Sequence, residues 1–126
     1  MIPSGQLARI SRLKLTGIGR HEGVTFPNGQ TLEITEKDGF RVTTVQEFAQ
    51  NHELKIEHVV HPMHHRDAIE RARKLLLEKR PYHFTDFNCE IVARLVTGEP
   101  SKSPQITFLV LIVAGVTAWF AFAKVG

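Results

Sequence analysis

The sequence predicts an α+β domain, an antiparallel sheet packed with helices, followed by one C-terminal transmembrane helix. Three observations predict it. Strand-like apolar patterning fills the first half of the chain and helical spacing the second. Pro27-Asn28-Gly29 separates two strand-like runs, a strong hairpin signal. Ser103 to Ala123 is a run of 21 residues without a charge.

The elements follow in order. Gln6 to Lys14 alternates loosely through Leu7, Ala8, Ile10 and Leu13, as a strand does, and Gly17 and Gly19 end it. His21–Phe26 and Gln30–Thr35 are the hairpin strands, and Phe40–Thr43 is a short strand. Thr44 with Glu47 forms a capping box that opens a short helix over Val45–Gln50. Leu54–Val60 is another strand. Asp67 and Glu70 read as a second box, opening a helix whose apolar stripe is Ala68, Ile69, Ala72, Leu75 and Leu76. That helix ends near Lys79, because Pro81 disfavours helical geometry at Arg80. A last helix spans about Asn88 to Thr97 and stops at Gly98, a residue suited to the left-handed cap. Glu99 to Pro104 then links to the uncharged segment. The predicted division is a domain over 1–102 and a hydrophobic segment over 103–126.

Composition narrows the classes. Hydrophobic residues at 42% and charged residues at 23% exclude extensive disorder and a multi-pass membrane protein, but not a single span. The net charge of +3 is too small to imply a nucleic-acid partner. Ahead of Ser103 lie 15 of the 16 basic and all 13 acidic residues, a net +2. The one cysteine, Cys89, allows no intrachain disulfide and no cysteine-rich zinc module. Met1-Ile-Pro-Ser-Gly-Gln lacks the basic and apolar regions of a secretory signal, so a reducing, cytosolic setting is expected.

Ile106 to Ala123 holds 18 residues whose only polar side chains are two threonines. As a helix it would extend about 27 Å, close to a hydrocarbon core of about 30 Å. Lys102 and Lys124 bracket it, and Trp119 lies near one end, where an interfacial anchor belongs. A membrane anchor with the basic domain on the cytosolic side is the expectation; a core helix apolar all round is the alternative.

The chemistry centres on Cys89. Asn88 or Asp86 can cap the last helix, which puts Cys89 in its first turn. The partial positive charge and unpaired N–H groups at a helix N-terminus favour an anion there. A small buried hydrophobe is the other role of a lone Cys. Seven histidines compete to be its base. His61, His64 and His65 cluster, but no carboxylate has ligand spacing among them, so no metal site is expected; His52, His58 and His83 read as surface or structural. His21 differs because it opens the hairpin. A three-residue loop at Pro27-Asn28-Gly29 pairs Phe26 with Gln30 and Gly23 with Glu33. His21 and Glu33 then become diagonal neighbours on one face, with Gly23 leaving room between them. A two-residue Asn28-Gly29 turn would put them on opposite faces. Cys89, His21 and Glu33 are therefore the candidate nucleophile, base and base-orienting residue.

Asn88-Cys89-Glu90 after an aromatic residue, with Gly98 and Ser103 downstream, resembles the NCE block of lecithin:retinol acyltransferase-like proteins. These belong to the NlpC-type, circularly permuted papain-like superfamily. His21, twelve residues before Glu33 across a glycine hairpin, resembles that family's catalytic His and third polar residue. The helix from Asp67 to Lys79 and Tyr82 fall in the family's order. The resemblance covers roughly residues 4–105. Glu33 stands where the acyltransferase-type vertebrate members carry a second His. Some mammalian relatives also have a C-terminal hydrophobic anchor. The resemblance implies a thiol hydrolase or acyltransferase working through a thioester. Phospholipid acyl esters are the expected substrate, and membrane lipid serves as both substrate and anchor. No cofactor is expected. Amide or peptide hydrolysis, and a non-catalytic binding module, are the alternatives.

Overall fold

The computed structural model describes residues 5–14, 17 and 19–100. The expected hydrophobic segment from residue 103 lies outside them. Among the described residues no helix is long and apolar enough to cross a membrane.

Five strands form one antiparallel sheet: β1 (Leu7–Leu13), β2 (Arg20–Thr25), β3 (Gln30–Thr35), β4 (Gly39–Thr44) and β5 (Lys55–Val60). Their spatial order is β4-β3-β2-β1-β5. Helix α1 (Val45–Ala49) follows β4, and α2 (His65–Glu78) and α3 (Cys89–Thr97) close the described chain. The α+β class read from the sequence is the class observed.

Local chemistry explains most boundaries. Gly29 sits at φ +86, Gly29 N–H donates to Phe26 O, and Phe26 N–H donates to Gln30 O. This is the three-residue hairpin loop, and it sets the ladder to Val24↔Leu32 and Thr25↔Thr31. Thr44 caps α1 by accepting from Glu47 N–H, as the capping box predicts. Asn88 rather than Asp86 caps α3, its Oδ1 accepting from Ile91 N–H at 3.1 Å, and Gly98 ends α3 at φ +80.

Two expectations fail locally. Asp67 does not cap α2. A 3-10 turn at Pro62–His64 runs straight into the helix, so α2 begins at His65 and Asp67 falls within its first turn. The histidine cluster lies in this turn, with His61 Nδ1 accepting from Met63 N–H. Glu99, expected in the linker, is instead bonded to Arg9 and half-buried.

The sheet has two unlike faces. Leu7, Val24, Leu32 and Val60 pack with Ala68 and Ala72 of α2 and Ala93 and Val96 of α3 as the main apolar core. On the other face Ala8 and Ile10 pack with Phe48 of α1. By strand alternation and register, Arg12, His21, Gly23 and Glu33 share that second face.

Candidate active site

His21 and Glu33 meet as the hairpin register requires. His21 Nε2 lies 3.0 Å from Glu33 Oε1, and both residues are buried. Thr43 Oγ1 donates to the other carboxylate oxygen at 3.4 Å. Thr43 is placed by the rule that places His21. In the β3–β4 ladder Glu33 faces Arg41, so Thr43 is its diagonal neighbour on the buried face. Burial opposes charge on Glu33. The hydrogen bond and charge of His21, the charge of Arg41 and the Thr43 bond outweigh it and lower the carboxyl pKa. An ionised Glu33 accepts from His21, which assigns the proton to Nε2 and leaves Nδ1 as the basic nitrogen.

Cys89 comes from the opposite face. It is the first residue of α3 and packs beside Ile34, Phe87, Val92 and Tyr82. The β2–β3 ladder is paired at Val24↔Leu32 and Thr25↔Thr31, whereas β2 stays paired to β1 as far as Arg20. Cys89 lies near enough to the imidazole to act on its titration. Burial lowers the His21 pKa, but hydrogen bonding to Cys89 and Glu33, together with their charges, raises it overall. Of the three residues singled out in the sequence, His21 and Glu33 are in direct contact, and Cys89 heads α3, its thiol acting on the His21 titration.

The head of α3 is tied to the loop before it. Asn88 Nδ2 donates to Phe84 O while its Oδ1 caps the helix, and His83 and Phe87 exchange both backbone hydrogen bonds. The Arg80 guanidinium lies 4.5 Å from the Phe87 ring centroid. With Ile91 N–H taken by the cap and Val92 N–H by Asn88 O, the amides of Cys89 and Glu90 head the helix beside the thiol. That is where an oxyanion formed at a carbonyl under attack by sulfur would be received.

Two contributors, Phe48 and Arg12, escape a sequence reading. Phe48 stacks on His21, with ring centroids 5.3 Å apart and an interplanar angle of 25°. Gly23 makes room for this ring rather than for the His21–Glu33 pair: a Cβ there would stand 2.7 Å from Phe48 Cε2. Arg12, opposite His21 in the ladder, donates from Nε to Phe48 O at 2.6 Å and is buried. Burial lowers its pKa, against the raising charges of Glu33 and Cys89. Tyr82 also borders the site; burial raises its pKa, and the charges of Cys89 and Glu36 add to that. The helix start at Thr44 was a signal for Phe48, since it fixes one buried position on a short helix, but nothing local says which strand it meets.

The remaining histidines stand apart. His52, His58, His61 and His83 bond locally or at the surface, and His65 Nε2 reaches Val60 O at 3.1 Å. Among the described residues no group of three or more His, Cys, Asp or Glu is arranged to hold a metal ion. No protein-family model, curated protein or solved structure matches the chain.

Proposed function

We propose that the protein is a membrane-anchored cysteine acyl hydrolase or acyltransferase of the lecithin:retinol acyltransferase-like kind, with a circularly permuted papain-like fold. The observation that carries this reading is the contact of His21 Nε2 with Glu33 at 3.0 Å, with Cys89 at the head of α3 among the groups that raise the His21 pKa. Anchoring rests on the uncharged run from Ser103 to Ala123, which would hold the domain at the cytosolic side of a bilayer.

In this mechanism the Cys89 sulfur attacks the carbonyl carbon of an acyl ester, and its proton passes to His21 Nδ1. Glu33 fixes the ring and balances the imidazolium. The carbonyl oxygen becomes an oxyanion facing the amides of Cys89 and Glu90. As the intermediate collapses, the C–O bond breaks and His21 returns the proton to the departing alcohol, leaving an acyl thioester on Cys89. Water, or an alcohol or amine acceptor, then attacks the thioester, gives its proton to His21 and restores the thiol. Phospholipid acyl esters are the substrate class, because the anchor keeps the site at a lipid surface.

The test is incubation of the full chain with mixed phospholipid vesicles and detection of free fatty acid by mass spectrometry. Release abolished by Cys89→Ser and His21→Ala supports the reading. Cleavage of amide substrates with none of lipids redirects it to an amidase. Failure of folded protein to react with a thiol-directed acyl probe near neutral pH overturns the enzyme.

A further inference from the structure

Behind the candidate site, on the face that carries α3, lies a second cluster of charges that the mechanism does not use. Arg9 of β1 is an ion-pair partner of Glu22 of β2, and its Nε and Nη2 donate to the two Glu99 oxygens at 2.9 and 3.1 Å. Arg94 of α3 lies 3.7 Å from Glu99 Oε1 through Nη1 and donates to Pro100 O at 3.2 Å. Its Nε makes no hydrogen bond among the described residues and stands 3.4 Å from Glu90 Oε1. Thr97 Oγ1 donates to Glu99 at 2.6 Å, and half-exposed His58 approaches Glu99 at 3.9 Å. Arg9 and Arg94 are 4% and 6% exposed, so these charges are held out of water.

The two ends of the chain of ion pairs are informative. Glu22 follows His21 on β2, and Glu90 follows Cys89 on α3. Alternation along β2 aims His21 at the site and Glu22 at the helix. We propose that Glu22, Arg9, Glu99, Arg94 and Glu90 form a positioning device that sets the spacing of Cys89 from His21. The proposal rests on the thiol–imidazole reading above.

The packing shows why such a device is needed. α3 meets the main core through Ala93 and Val96, small or branched apolar side chains whose contacts have no directional preference. A helix seated on them alone can slide or turn by a fraction of an ångström at little cost. Two-point hydrogen bonding of a guanidinium to a carboxylate is directional and resists both motions. Buried ion networks add little net stability compared with apolar replacements, so geometry is where this one acts.

Iodoacetamide alkylation of Cys89 as a function of pH, measured on the full chain in detergent micelles beside a thermal melt, tests this. Arg94→Met and Glu22→Gln should keep the protein folded, slow alkylation at neutral pH by about 10- to 100-fold, as a misplaced reacting group does, and shift the pH profile. Arg94→Lys should recover part of the rate. Should Arg94→Met fail to fold, Glu90→Gln, whose side chain is one-third exposed, decides in its place. Profiles that superimpose on the unmodified protein in folded variants overturn the positioning role. His21→Ala separates the two ideas: an unchanged profile there removes the thiol–imidazole reading itself, whereas a changed one beside silent network variants removes only the positioning role.

Discussion

His21 and Glu22 are neighbours in the chain and belong to two different buried charge clusters, one on each face of the sheet. The first cluster joins an imidazole, a carboxylate and a thiol around one aromatic ring. Within it, against the cost of burial, the His21 pKa is raised and the Glu33 pKa lowered, each in part by the charge of the other. The second is made of two arginines and three carboxylates. Arginine does not deprotonate in proteins, so the two guanidinium charges of this cluster are permanent. β alternation lets one strand serve both clusters: His21 faces one and Glu22, the next residue, faces the other.

The contrast is broken most sharply at His21. His21→Ala should reduce thiol-dependent turnover by about 10²–10⁴-fold, the usual worth of a positioned general base, read as initial rates. Activity within a few-fold of the unmodified protein would make the two clusters alike. Phe48→Ala removes a ring that is 1% exposed and should cost about 3–5 kcal/mol in denaturant unfolding. Gly23→Ala forces a Cβ against the same ring and should cost about 1–3 kcal/mol. Combined with Phe48→Leu, which clears the ring edge, its effect should fall below the sum of the two single changes. Strict additivity would place Gly23 outside the Phe48 notch.

The pH dependence of stability sharpens the comparison. The His21 pKa is raised, so its contribution is complete below its usual 6.5 and is lost as pH rises through the higher folded value. The Glu33 pKa is lowered, so its contribution is complete above its usual 4.5 and is lost as pH falls through the lower folded value. The pair therefore stabilises most between about 4.5 and 6.5. Glu33→Gln should flatten the acid limb of a melting-temperature profile and move the His21 loss to lower pH. Parallel curves for the two proteins would mean that the pair is uncoupled. The smallest effect is expected at the helix head, where Asn88→Ala should cost about 1 kcal/mol through the lost cap. An unchanged denaturation midpoint would show that the Phe84–Asn88 loop holds α3 without it.

Much of the site was legible because hairpin arithmetic is local. Pro27-Asn28-Gly29 narrows the loop to two turn types, and the three-residue one observed sets the register that puts His21 and Glu33 on one face. Thr43 could have been found by extending the same arithmetic across β3 and β4. The start of α2 was misread because Asp67 and Glu70 match a capping pattern, while the 3-10 turn at Pro62–His64 had already nucleated the helix. Glu99 looked like linker because its partner, Arg9, lies ninety residues away.

The sequence by itself determined the α+β class, the strand and helix order, the presence of the hairpin and the placement of Cys89 at a helix head. Each depends on periodicity, turn residues or caps, which act over a few positions. Tertiary structure alone decided that α3 brings Cys89 near enough to act on the His21 titration, that Phe48 fills the notch at Gly23, and that Arg9 and Arg94 tie α3 to β2. Those outcomes depend on how helices seat against a sheet. That seating is set by close packing and charge pairing between residues far apart in the chain, whose separation no local pattern records.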